Sequence, residues 1–404
     1  MKRTSVVIAL IFYVFTGYSQ ESGPTNEERL EALESKVEKM GQFKFSGYVQ
    51  TQWTWNQAEV SNGKQNDFSI RRGRVKLTYT NKYGEAVFQL DATESGVNIK
   101  DAYLRIREPR VKWASLRAGV FDRPFGYEIS YSSSARETPE RSRIFQTLFP
   151  KERDLGAEIA LKGSGTSFLK DFTLNAGIFA GNGGQAKETD SHKDFIGHLA
   201  YQKTTGNISF GLGTSLYAGG VRLAGDENQK TYKMVNKSFT EDKELTPGDY
   251  ARRRYYGFDG QFALTSPIGK TSLRAEYLWG IQPGSENGSN SPTGAINANI
   301  YSRDFNGYYL YFIQDIGKTK HSLVARYDMY DPNTEVSKNE CVTLGDIAYS
   351  TFGFGWLFRA NSNLRLMAYY ELVNNEKVKN NTLATAFADN IPDNLFTLRL
   401  QYKF

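Results

Sequence analysis

The chain holds a single cysteine, Cys341, and three histidines, His192, His198 and His321, in 404 residues. One cysteine excludes an internal disulfide framework. The histidines have no second conspicuous ligand beside them, so no metal site is expected. Nor does any of them stand by a nucleophile in a recognisable Ser-His-acid arrangement, which argues against a hydrolase. No cofactor and no nucleic-acid partner is expected. Long apolar runs are equally scarce. The opening "MKRTSVVIALIFYVFTGYSQ" has Lys2 and Arg3, an apolar run from Val6 to Phe15, and Gly17 and Ser19 two apart. That run is shorter than the roughly 20 residues of a spanning helix, and it predicts a secretory signal at 1–19 cut after Ser19. No later stretch approaches a spanning helix, so the mature chain is either secreted or crosses a membrane as strands.

What is plentiful favours strands. Aromatics make up 14% of the chain, with 25 Tyr and 26 Phe, alongside 37 Gly, a profile of strand formers and turn residues. Residues 20–41 differ. "TNEERLEALESKVEKMG" places Thr25 and Glu28 at capping-box spacing and Leu30, Leu33, Val37 and Met40 at 3-4-3 spacing before Gly41, predicting a short helical leader that pairs with copies of itself or lies against the body. From Gln42 the period changes to two. In "FKFSGYVQTQWTW" the odd positions Phe43, Phe45, Val49, Trp53 and Trp55 are apolar and the even ones polar or amphipathic, which predicts one greasy and one wet face.

That alternation recurs over residues 43–55, 68–80, 84–93, 98–108, 111–121, 153–163, 168–180, 194–203, 206–218, 252–266, 270–280, 302–316, 320–330, 346–358, 363–373 and 394–404, giving sixteen expected strands. The connections alternate in length: "NQAEVSNGKQND" is long, "NKY" tight, "ESGVN" moderate, "PR" tight and 122–152 very long. The second half follows the same rule, with long polar connections at 219–251, 281–301, 331–345 and 374–393. Strands of this length with tight turns at one rim and long loops at the other describe an all-β, 16-stranded antiparallel transmembrane β-barrel over 42–404, preceded by a short periplasmic helix. Both termini are then periplasmic. The closing "NLFTLRLQYKF" alternates in the same way and ends on the aromatic Phe404, an ending like the signal that barrel-assembly machinery reads.

In a barrel the apolar set faces lipid and the other parity faces the lumen. In "FSIRRGRVKLTYTN", with Val75, Leu77 and Tyr79 outward, Arg72, Arg74 and Lys76 line the lumen; Arg71 has lipid parity near the outer rim, where it can snorkel. The same count turns Arg105, Arg107, Arg117, Arg253, Arg274, Arg326, Arg365 and Arg399 inward, together with Asp91, Asp101, Glu158, Asp259, Glu276, Asp328 and Glu371. Facing rows of opposite charge can simply pair along the wall. Yet no acidic residue stands between Ile70 and Lys82, so this first cluster is the hardest to neutralise. The planar, permanently charged arginine fork suits phosphate or carboxylate, and a ladder of modest sites suits passage. The connection 122–152 carries Arg123, Arg136, Arg141, Arg143 and Lys151, with Arg153 just beyond it, and also Phe125, Phe145, Leu148 and Phe149; so many apolar residues predict a loop folded into the lumen as the constriction.

The "FSIRRGRV" strand, the "GVFDRPFG" to "ERSRIFQTLFPKERDLGAEI" segment and the terminal "TLRLQYKF" resemble the phosphate-selective porin family of the porin O and porin P type. The resemblance implies a homotrimer of sixteen-stranded barrels in the outer-membrane lipid, a third loop folded inward, and an arginine ladder feeding a constriction for small inorganic anions such as phosphate or polyphosphate. Arg71, Arg72 and Arg74 match the ladder motif, and Arg141 and Arg143 fall in the constriction loop. The constriction lysines find no match, and the loop holds only Lys151. A general, weakly selective diffusion porin and a barrel anchoring a partner-binding surface are the alternatives.

Overall fold

The structure is a computed structural model that describes residue 30 and residues 40–404, apart from 61, 62, 111, 166, 167, 185 and 380. The expected signal at 1–19 and the leader at 20–41 lie outside the described residues, save Leu30, Met40 and Gly41. From Phe43 the chain runs as strands β1 (Phe43–Asn56), β2 (Asn66–Asn81), β3 (Gly84–Thr93), β4 (Gly96–Arg107) and β5 (Ala114–Asp122). A long inward loop, 123–152, carries helix α1 (Arg143–Leu148) and leads to β6 (Arg153–Lys162), β7 (Phe172–Phe179), β8 (Asp194–Thr205) and β9 (Ile208–Arg222). A loop hairpin, β10 (Thr231–Val235) and β11 (Ser238–Glu241), precedes β12 (Tyr250–Ser266), β13 (Gly269–Gly284), β14 (Ile300–Asp315), β15 (His321–Asp331), β16 (Tyr349–Arg359), β17 (Leu364–Asn375) and β18 (Leu395–Lys403).

Leaving aside the hairpin, sixteen strands pair antiparallel with their sequence neighbours and close when β18 pairs with β1, Tyr48 opposite Lys403 through Asn56 opposite Leu395. The ends of the seam are tied by Gly47 N–H donating to Phe404 O at 2.9 Å and Phe404 N–H donating to Gly47 O at 3.0 Å. Closure leaves no edge strand in the ring of sixteen, so strand can pair with strand all the way round without water, the condition for strands in hydrocarbon. Among the described residues no helix is long and apolar enough to cross a membrane. The barrel is inside-out: Leu104, Ile106, Leu116, Phe258, Leu310 and Phe354 are exposed outside, while Arg72, Arg74, Asp101, Glu158, Asp259, Arg326 and Glu371 are buried inside.

Two expectations need correction. The moderate "ESGVN" connection is a two-residue turn at 94–95, because β4 begins at Gly96, whose φ of 113° no side chain would readily adopt. The 219–251 connection is not merely polar loop. Its hairpin turns through Asn236 and Lys237 at φ 51° and 65°, the left-handed pair of a tight hairpin turn, and β10 then pairs parallel with the start of β14, Thr231 opposite Ile300. The loops at this rim also hold a small apolar core of Met234, Val336, Cys341, Ile347, Val378 and Phe387.

Candidate functional site

Inward parity brings the cationic strands together, and two local irregularities add to them. In β4, Gln89 faces Asp101 and Leu90 faces Ile99, so Lys100 is an extra residue in a β-bulge. Ile99 is exposed outside and Asp101 is buried inside; Lys100 therefore turns to the lumen, where its charged neighbours are Glu152, Arg74, Arg153 and Asp91. Strict alternation places Lys100 on the lipid side, and only an insertion relative to β3 reveals otherwise. In β2, Phe68 and Ile70 and then Val75 and Leu77 are exposed, an odd spacing that skips one residue. Arg71 thus does not snorkel: it reaches Glu140 of the inward loop through Nε and Oε1 at 2.7 Å.

The inward loop is bound at both sides of the lumen. Ile144, Phe145, Leu148 and Phe149 are buried with Phe125 against Tyr217, Tyr255, Phe305 and Tyr309 of the wall, with ring centroids 5.8 Å apart for Phe149 and Tyr255 and 6.2 Å for Phe145 and Tyr309. Glu276 of β13 accepts the backbone N–H groups of Tyr127, at 3.0 Å, and Glu128, and the hydroxyl of Tyr309. Glu128 in turn accepts Ser142 Oγ–H at 2.6 Å and Tyr311 O–H at 2.9 Å. The loop then crosses. Gln50 donates to Ser133 O at 3.2 Å, Gln401 to Ser134 O at 3.0 Å, Arg365 to Ala135 O at 3.1 Å, and Arg399 to Pro139 O at 2.6 Å. Gly126 permits the close approach at the start: its φ is 62° and a Cβ there would run into the Glu276 carboxylate. Gly126→Ala is expected to expel Glu276 from the Tyr127 and Glu128 amides at a cost of about 1–3 kcal/mol, read as cleavage of the loop by protease while the barrel stays intact.

Glu140 is the hub on the far side. It accepts Arg71 at 2.7 Å, Arg72 at 2.9 Å and Arg399 at 3.0 Å, and its own backbone carbonyl accepts Arg326 at 2.8 Å. Burial opposes its ionisation, but Arg72, Arg71 and Arg399 outweigh that and hold its carboxyl well below the usual carboxylate range. Glu152 behaves alike: burial opposes, while Arg141, Arg153, Lys100 and Arg74 keep it well below that range. The "RRGR" cluster is therefore neutralised in part after all, by Glu140 from the loop and by Asp91 on β3, 3.1 Å from Arg74. Neither acid is adjacent in sequence.

The remaining candidates fall in three settings. Arg105 and Arg107 share Glu85 at 2.8 and 3.1 Å, Arg117 pairs with Glu158 at 2.8 Å, and Arg274 pairs with loop residue Glu137 at 2.8 Å. Arg141 donates to the carbonyls of Glu128 and Ile129 at 3.1 and 2.9 Å, Arg143 lies 4.1 Å over the Tyr349 ring, and Lys151 gives its carbonyl to Arg123. Arg136 is 2% exposed and none of its guanidinium nitrogens has a hydrogen-bond partner among the described residues; burial first, then Arg141 and Arg72, push it down to about 9.

Two cavities flank the loop. One, of about 260 Å³, lies between loop residues 129–134 and β1 to β6; five cations line it, Arg74, Lys76, Arg141, Arg153 and Lys403, against two carboxylates, Asp101 and Asp122. The other, of about 400 Å³, is bounded by α1 and β15 to β18 and reverses the balance, with Arg143 and Arg326 against Asp328, Glu371 and Asp393.

A sequence model described as "phosphate-selective porin O and P" matches residues 43–404. No curated protein matches the sequence significantly. Solved structures similar in fold include the anion-selective porin from Comamonas acidovorans, with a TM-score of 0.55 at 12% identity, covering 90% of this chain and 99% of that one. A loop-deleted OmpT of Vibrio cholerae has the same TM-score, identity and coverage. The outer-membrane channel DcaP of Acinetobacter baumannii has a TM-score of 0.52 at 12% identity, covering 90% and 97%.

Proposed function

The chain belongs to the phosphate-selective porin O and P family, and on that premise we propose that its lumen passes small anions in preference to cations, inorganic phosphate among them. It is an outer-membrane porin, a channel rather than an enzyme. The observation that carries the anion preference is the five-to-two excess of cations lining the cavity beneath the loop. Lys100 adds to the positive field from its bulge. Arg71, Arg72, Arg74, Lys76, Arg105, Arg107, Arg117 and Arg274 are the wall residues of this reading, and Arg136, Arg141, Arg143 and Lys151 those of the constriction. Within a narrow lumen a surplus of fixed cations concentrates anions and speeds their entry. Passage then requires sites that release as readily as they bind, and arginines already shared with carboxylates are such sites.

The acid-leaning cavity beside α1 favours a second reading, a general porin of weak selectivity. A reversal potential in a planar bilayer under a KCl gradient, with phosphate titrated into the bath, separates the two. Strong anion selectivity with chloride current blocked by phosphate supports the first; a potential near zero without block supports the second. Replacing Arg74 and Lys76 together by glutamine is expected to lower the anion-to-cation permeability ratio several-fold. The same proposal includes a homotrimer, read as three times the 45.6 kDa chain mass or the processed equivalent, and recognition of the Phe404 end by assembly machinery, read as loss of membrane insertion when Phe404 is deleted.

A further inference from the structure

The lipid-facing side of the barrel is not uniformly convex. Across β9 and β12 to β16 it holds a concavity of about 660 Å³, within the size range of small-molecule sites. Its floor is the cross-strand pair Gly260 and Ala275. Leu212, Phe262, Leu273, Leu310, Phe312 and Tyr327 wall it, all exposed on the outward parity. Gly260 is the informative residue. At Gly84, Gly119 or Gly280 an added Cβ would collide with the neighbouring strand's backbone, but at Gly260 it would meet nothing nearer than Leu212 Cδ2, at 3.8 Å. Backbone packing therefore does not call for glycine at 260. What the missing side chain creates is the depression.

The rim supplies a charge. Lys203 stands directly opposite Phe210 in the β8–β9 register, exposed on the same outward face and two residues before β8 ends at the short-turn rim. It has no ion pair among the described residues. On the opposite flank Trp356 Nε1–H donates to His321 Nδ1 at 3.1 Å, and both rings stack beside Phe358, forming an aromatic belt of the kind found at headgroup level. The groove thus runs inward from a headgroup interface that carries an unpaired cation.

We propose that this concavity holds one acyl chain of an anionic glycerophospholipid of the surrounding membrane, its phosphate drawn to Lys203. The face is turned to lipid, which makes a lipid chain the available occupant. The free ammonium selects an anionic head, and the apolar walls accept the methylenes whose burial drives binding.

Native mass spectrometry of the purified protein in detergent, titrated with phosphatidylglycerol or with phosphatidylcholine of the same chains, tests it. One phosphatidylglycerol adduct should survive activation that strips phosphatidylcholine. Gly260→Leu with Ala275→Leu should weaken that adduct about tenfold, and Lys203→Ala should abolish the preference between the two lipids. Channel conductance, set by the other face of the sheet, should be unchanged and serves as the check of assembly; if the double variant does not assemble, Gly260→Ala with Ala275→Val fills the groove more gently. A filled groove that retains the adduct overturns the proposal. So does a filled groove that changes the oligomer mass, which would assign this face to contact between copies of the chain.

Discussion

Replacing Glu140 by glutamine is expected to shift the reversal potential further towards anion selectivity and to loosen the inward loop. Glu140 is shared by Arg71, Arg72 and Arg399. Removing its charge leaves Arg72 and Arg399, both almost fully buried, with no carboxylate within ion-pair distance among the described residues. Leaving a buried charge unpaired costs about 3–5 kcal/mol; Arg71, with 41% of its side chain exposed, adds little because water screens it. The loop can relieve that cost only by moving and letting water in. Protease cleavage after Arg141 should become rapid in the variant and remain slow in the parent. A pH series gives an independent check. The folded carboxyl of Glu140 is held below its usual range, so its contribution is fully present above the ordinary glutamate value of about 4.3 and is lost as pH falls below that value through the depressed one. Because the other lumen carboxylates are common to both proteins, the difference in selectivity between parent and variant should hold steady from neutrality down to that range and close only under stronger acid. Equal selectivity of parent and variant at every pH would remove Glu140 from the control of charge in the lumen.

Shortening Phe145 and Phe149 together to alanine should change the pore's size rather than its charge preference. Both rings are buried in the cluster that fixes α1 to β9, β12 and β14, and each large-to-small change in such a setting costs about 3–5 kcal/mol. The wall itself is secured by its closed ladder. The expected result is therefore a barrel of unchanged heat-modifiable mobility on gels, with a loop that no longer holds to the wall and a single-channel conductance several-fold higher. Unchanged conductance would mean that the hydrogen bonds from Gln50, Gln401, Arg365 and Arg399 hold the loop without its aromatic anchor.

The period of two was enough to locate all sixteen barrel strands and to turn Arg72, Arg74, Arg326 and Arg399 inward, because lipid outside and water inside impose opposite chemistry on alternate residues. It failed where a residue is inserted. Lys100 lies on the wrong parity until β4 is compared with β3, and that comparison is a tertiary fact; the slip at Arg71 lies within β2, where the outward set passes from Ile70 to Val75. It failed also for the hairpin β10–β11, whose Val-Asn-Lys-Ser turn is a hairpin signal weaker than an Asn-Gly pair. The loop's apolar residues gave away its inward fold, but Glu140 as the shared partner of three arginines was out of reach. In sequence it stands 68 residues from Arg72 and 259 from Arg399.

The seam between β1 and β18 sets an order of events. Gln50 donates to Gln401, 351 residues further along the chain, and Phe404 is gripped by Gly47. Until β18 has been synthesised, β1 has no partner on one side, and its open N–H and C=O row can pair with any strand that comes near. Contacts so remote in sequence are slow to form unaided. The barrel cannot seal progressively as it leaves the ribosome: it has to be kept apart as a whole and closed in one late step.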